Sequence, residues 1–270
     1  NTADSIIVGN FVSENALAAV GASYSLTNVF ICIAIGGGVG ASVLTSQYLG
    51  SREYRLMKTS VNTALTSFFV ISVILAVFGA VASPAIMAWL RTPENIFAEA
   101  VLYLRIYFIG LPFLFMYNVL ASVFNALGKS KIPLYFLIFS SILNVIMDLF
   151  MVIVMNLGVA GVALATIIAQ GISAVISFLV LVRYLKGQPE QGLLFDGGML
   201  VRMAGIALPS ILQQSIVSIG MMLVQSVVNS FGSQMLAGYS AAMRIESVCI
   251  VPMSAMGNAI SSYTAQNIRA

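Results

Sequence analysis

The chain has 270 residues, of which 60% are hydrophobic and only 8% charged, with a formal net charge of +3 and a mean hydropathy of +1.00. An ordinary globular domain is about 25% charged, so this composition excludes a water-soluble fold, and so small a net charge offers nothing to nucleic acid. There is no histidine, and the two cysteines, Cys32 and Cys249, lie in apolar stretches without metal-ligand spacing, which removes the usual zinc ligands and the usual general base.

A membrane-crossing helix needs about 20 apolar residues. Read from one polar break to the next, the sequence predicts a partial helix to about Asn10. Further helices follow near residues 16–48, 59–82, 97–127, 132–155, 158–184, 200–230 and 236–266. The runs are long and continuous, without the ten-residue alternation of barrel strands, so an all-α polytopic membrane protein of about eight helices is expected, the first of them partial. Within these helices Gly36-Gly37-Gly38-Val39-Gly40 resembles a phosphate loop in composition only. It lacks the following Lys-Ser/Thr and lies mid-helix, which predicts close helix packing. Pro112, Pro209 and Pro252 are expected to kink their helices.

The connections alternate in charge. Arg52, Arg55, Lys58, Lys129, Lys131, Arg183, Lys186, Arg202 and Arg269 fall on one side, and only Arg91 on the other. By the positive-inside rule the loops near 50–58, 128–131 and 185–199 are expected to be cytoplasmic. The last of these, the most polar stretch, is the expected boundary: residues 1–185 form a six-helix lobe, 186–199 an inter-lobe loop, and 200–270 the first two helices of a second lobe. A shift of 219 residues supports a repeat. It pairs Leu17 with Leu236, Gly38 with Gly257, Ser42 with Ser261, Thr45 with Thr264 and Gln47 with Gln266, among nine identities in 33 positions. Six helices separate the copies, so the repeats are parallel, a plan that in transporters puts the substrate path between the halves. On this count about four helices are missing from the C-terminus.

From Ile132 to Val182 the only charged residue among 51 is Asp148. An ionised carboxylate in hydrocarbon is costly and is retained where it binds a cation, contacts a substrate or pairs with a base. Asn144 stands one turn away on the same face. Counting along the helices places Thr166 and Asp4 at a similar depth in the outer half, with Tyr103 nearer the outside and Asn118 deeper. Two carboxylates with amide and hydroxyl neighbours make an oxygen-lined site suited to Na⁺ or to a proton. The bland alternatives are interhelical hydrogen bonding for Thr166 and Asn118, a solvated position for Asp4, and a buried pair of Asp148 with Arg105 or Arg244.

Several segments resemble the multidrug and toxic compound extrusion (MATE) family. They are Ala3-Asp4-Ser5-Ile6-Ile7-Val8-Gly9, Ala16-Leu17-Ala18-Ala19-Val20-Gly21, Asn125-Ala126-Leu127-Gly128-Lys129-Ser130-Lys131-Ile132-Pro133, Asn144-Val145-Ile146-Met147-Asp148, Gly158 to Thr166, and Ala265-Gln266-Asn267. The resemblance implies a twelve-helix, two-lobe antiporter of the bacterial inner membrane, monomeric and without a cofactor, that exports drugs or organic cations in exchange for H⁺ or Na⁺. It also implies a cation site at Asp4, Asn144, Asp148 and Thr166, holding Na⁺ if that is the coupling ion, with Asn118 and Tyr103 lining the same cavity. Three departures stand out. The first helix and the last four are incomplete or absent, so this piece alone is not expected to transport. The seventh helix has no acid between Pro209 and Val228, where one subgroup carries a glutamate, and Arg269 stands where a glycine is usual.

Competing readings rank lower. A lipid-linked oligosaccharide flippase of the same superfamily would line its cavity with several cations, and this lobe has few. A membrane enzyme needs a nucleophile with a base or a metal site. A receptor typically brings a sizeable soluble domain, and none is apparent in these residues.

Overall fold

The computed structural model describes residues 2–229 and 233–268. Among these the chain is helical throughout: α1 (Thr2–Phe11), α2 (Glu14–Gly50), α3 (Tyr54–Trp89), α4 (Glu94–Ile109), α5 (Leu111–Ala126), α6 (Lys131–Leu149), α7 (Gly158–Lys186), α8 (Gly197–Asn229) and α9 (Ser233–Asn267). A π-helical turn, Phe150–Val154, continues α6. Helices satisfy their own backbone hydrogen bonds, which hydrocarbon demands. Five are long and apolar enough to cross a membrane, and α4 with α5 makes a sixth span. The chain is a multi-pass membrane protein.

The helix expected at 97–127 is in fact two, bent by 48° between Ile109 and Leu111. Pro112 stands in the first turn of α5 and has no N–H to give the carbonyl of Phe108. Gly110 sits at the corner, where a Cβ would overlap Ile167 of α7. The bend thus lets the chain turn tightly against α7. With α4 and α5 taken as one span, the nine helices among the described residues amount to eight, of which α1 is the short one.

All the described basic loop residues of the longer charge set, from Arg52 to Arg202, lie at one end of the bundle, hereafter the basic end. Ser13 caps α2 at the other end, its side chain accepting from the Ala16 amide at 3.0 Å. At the basic end Asp196 caps α8, its Oδ1 accepting from the Met199 amide at 2.8 Å. Arg269 and the side chain of Arg244 lie outside the described residues.

Helix α2 is the axis of the fold, packing on α3, α4, α5, α8 and α9. Its glycine run faces several helices at once. A Cβ at Gly37 would strike Phe68 of α3 and one at Gly38 would strike Ser122 of α5, while Gly36 and Gly40 meet the α8 backbone at Ile211 and Met203. These are the close approaches that small residues permit in membranes. Displaced by 219 residues, Glu14 at the start of α2 falls on Ser233, the first residue of α9. At the basic end α9 packs back against α2 and α5. The Gln266 amide donates to the Ala126 carbonyl at 2.7 Å, and the Arg202 guanidinium of α8 donates to the Tyr48 hydroxyl of α2 at 3.3 Å.

Candidate cation site

Four side chains from three helices meet at one depth in the half of the bundle away from the basic end. Each lies about 9–15 Å along its helix from that far end, at 1.5 Å per residue. Asp148 of α6 is completely buried and Asp4 of α1 is only 2% exposed. The Asn144 amide donates to the Thr166 hydroxyl at 3.3 Å, and that hydroxyl donates to Oδ2 of Asp4 at 3.2 Å. Thr166 therefore ties α6, α7 and α1 together. Asp148 completes the group: the Asp4 carboxylate acts on it directly, while neither of its own oxygens makes a hydrogen bond of normal geometry among the described residues. A buried carboxylate left in that state demands a cation or a proton.

The apolar surroundings keep this group dry. Val8, Val152, Val159 and Val162 pack into one cluster with Ile7, Ala16 and Val20, and Val12 and Tyr103 close over it. Tyr103 lies within Coulombic range of both carboxylates. The π-turn begins two residues after Asp148, and in it the Met155 amide donates to the Phe150 carbonyl at 3.1 Å, five residues back. π-turns recur at functional sites. No glycine, proline or serine in Phe150–Val154 announced it.

The alternatives for Asp148 and Asn118 resolve differently. Arg105 does not reach Asp148. Its side chain is exposed and donates to the Ala80 carbonyl at 3.2 Å. Asn118 lies past the bend at Gly110, on α5, fifteen residues along the chain from Tyr103. Its amide donates to the Leu114 carbonyl at 2.8 Å, and its backbone carbonyl accepts from Ser122. Among the described residues no three of His, Cys, Asp and Glu gather as a metal site, and the two carboxylates with Thr166 and Asn144 supply hard oxygen donors instead.

Sequence reading missed one polar feature altogether. Lys58, Thr59, Asn62 and Thr63, at i, i+1, i+4 and i+5, form a stripe on α3 that binds the loop between α7 and α8. The spacing was visible, but only the structure shows what it faces.

Comparison with known proteins agrees with this architecture. The MatE family model matches residues 1–150 and 209–270. The "Probable multidrug resistance protein YpnP" of Bacillus subtilis (strain 168) is 31% identical over 98% of this chain and 60% of its own. "Probable multidrug resistance protein YoeA" of the same organism is 32% identical over 97% of this chain and 59% of its own. The "FAD transporter" of Shewanella oneidensis is 23% identical over 99% and 60%. Among solved structures, one titled "Crystal structure of MATE in complex with MaD5" superposes with a TM-score of 0.90 at 24% identity, covering all of this chain and 62% of the other. The chain thus spans about 60% of the length of the curated relatives it matches. With the family model matching well over half of its residues, the chain belongs to the MATE family of membrane transporters.

Proposed function

We propose that this chain carries the ion-coupling lobe, within residues 1–185, of an antiporter that exports drugs or organic cations in exchange for H⁺ or Na⁺. The observation that carries the reading is Asp148, fully buried, without a hydrogen bond of normal geometry on either oxygen among the described residues, and facing a second carboxylate from α1. Two adjacent carboxylates in a dry site repel while both are ionised, so the empty site favours any arrangement that separates them or admits a cation. A proton, or Na⁺ held by Asp4, Asp148, Thr166 and Asn144, relieves that repulsion. It lets α1, α6 and α7 close together and withdraws negative charge from the path of a cationic drug. Release of the ion restores the charge. The coupling therefore works through differential affinity of one ion for two packings of the lobe. The basic end is read as cytoplasmic. The relatives named as multidrug resistance proteins support the substrate class. The scarcity of cationic residues in the described lobe interior argues against an oligosaccharide flippase.

The test uses the intact transporter reconstituted in vesicles, with proton and sodium gradients imposed separately. Efflux of a cationic dye should depend on one of the two gradients and collapse in Asp148→Asn. Near-normal efflux with intact coupling in that variant refutes the mechanism. Because one relative is named an FAD transporter, an anionic flavin belongs in the same assay. Gradient-driven export of the flavin with no dye export would overturn the substrate class and leave the coupling site standing.

A further inference from the structure

At the basic end, the loop between α7 and α8 is stitched down the side of α3. The Lys58 ammonium donates to the carbonyls of Gln188 at 2.9 Å and Glu190 at 2.6 Å. The Thr59 hydroxyl accepts from the Leu193 amide at 3.0 Å, and the Asn62 amide donates to the Leu193 carbonyl at 3.0 Å. Finally the Thr63 hydroxyl accepts from the Asp196 amide at 3.0 Å. Gly192 fits this seam because a Cβ there would stand 2.6 Å from Cβ of Lys58. As the loop runs from residue 188 to 196 its partners move from Lys58 to Thr63. It therefore descends α3 by about 7–8 Å toward the bilayer centre.

That descent has two consequences. Helix α3 has 36 residues and is about 54 Å long, against a hydrocarbon core of about 30 Å, so its first eight residues or so project beyond the core. Lys58 to Thr63 then lie at the boundary between headgroups and acyl chains. Leu193, Leu194 and Phe195 are carried to that boundary with their side chains outward. Leu194 is 80% exposed, and its two neighbours are about half exposed. Three consecutive exposed apolar residues in the most polar loop of the chain are costly in water but gain from contact with acyl chains.

Beside the triplet is a cavity of about 560 Å³ whose polar lining includes Lys58, Asn62, Lys186, Gln188, Glu190 and Gln191. The Lys58 side chain is buried, at 9% exposure, and its ammonium is satisfied only by neutral carbonyls. No carboxylate stands within salt-bridge distance of it among the described residues. A buried positive charge with a spare N–H and no counter-ion, backed by a second lysine, fits a phosphate. We propose that this cavity and the adjoining apolar triplet bind an anionic phospholipid of the leaflet at the basic end. The headgroup phosphate sits between Lys58 and Lys186, and the acyl chains lie along Leu193 to Phe195. The two parts are complementary in charge and in polarity to the two parts of one lipid molecule. This pairing favours a lipid over free phosphate, which would use the cavity alone.

The test is lipid retention by the intact transporter, measured by native mass spectrometry after titration with phosphatidylglycerol or phosphatidylcholine. Phosphatidylglycerol should be retained preferentially. Lys186→Gln, a change at an exposed position, should weaken it about fivefold, and Leu194→Glu should weaken it at least as much. Lys131→Gln, at the same end but away from the cavity, should leave retention unchanged. Equal losses in the Lys131 and Lys186 variants would mean a general surface potential and overturn the site. So would full displacement of the lipid by inorganic phosphate at equal concentration, which would make it a free-phosphate site. Retention unaffected by both Lys186→Gln and Leu194→Glu would also dismiss the proposal.

Discussion

Thr166→Val removes a hydroxyl and keeps the shape, so it isolates the node that joins three helices. The hydroxyl accepts from Asn144 at 3.3 Å and donates to Asp4 at 3.2 Å. Interhelical hydrogen bonds in membranes are worth about 0.6 kcal/mol on average and about 1.7 at most. The Asn144 bond is long and neutral and belongs near the average. The Asp4 bond ends on a carboxylate and belongs near the upper figure. The sum is about 2 kcal/mol for Thr166→Val, against about 0.6 for Asn144→Leu, which breaks only the first bond. Reversible denaturation of the purified intact transporter should rank the variants in that order. The double variant should be no worse than Thr166→Val alone, because the Asn144 bond is already gone. Equal costs for the two single variants, or full additivity, would refute the view that Thr166 is a shared node rather than one contact among many.

Other outcomes follow from close packing. Gly50→Val places side-chain atoms on the backbone of Gln266. It should hold α2 and α9 apart at the basic end, so a cysteine at the buried Ser46, in a background without Cys32 and Cys249, should react with a polar maleimide at least tenfold faster than without the glycine substitution. Gly79→Val meets the Phe108 ring and should destabilise the α3–α4 contact by about 1–3 kcal/mol, the usual cost of overpacking, measured by the same denaturation. Gly40→Leu intrudes on the Met203 carbonyl of α8. It should slow efflux by the intact transporter while the lobe still binds its coupling ion. Parallel loss of both would show that the glycine serves folding rather than motion between the lobes.

The parts legible in the sequence are those set by hydropathy and counting. Uncharged runs gave the spans because each must cross about 30 Å of hydrocarbon. The depth of Asp4, Asn144, Asp148 and Thr166 followed from distance to the nearest polar break, and the hydrogen bonds through Thr166 now join three of the four. What was hidden depends on contacts between distant segments. Pro112 signalled a kink, but the full break at Gly110 also requires Ile167 of α7 against the corner. The resemblance implies one cavity lined by Asn118 and Tyr103, and the break at Gly110, which composition does not report, lies between them in the chain. The loop at 187–196 read as a polar linker because nothing in its own composition reports the stripe on α3 that holds it.

Helix α6 explains why the proposed ion site would lie where it does. Its only buried residues are Ser140 and Asp148, and both are polar. Its large apolar side chains, Leu134, Leu137, Ile138, Ile142 and Ile146, are exposed on the bundle surface, where lipid surrounds them and burial adds little. The polar face therefore governs how α6 sits on α7, and neutralising one carboxylate there changes a large share of what holds the helix. A helix anchored by many buried leucines would not respond to a single ion. Spin labels at Ser141 on α6 and at an exposed α3 position such as Val77 would read this motion in the intact transporter. Addition of the coupling ion should shift the distance distribution in the wild type. In Asp148→Asn the distribution should stand near the ion-bound form and ignore the ion. A shift that persists undiminished in the variant would place the moving part elsewhere and separate α6 from the coupling step.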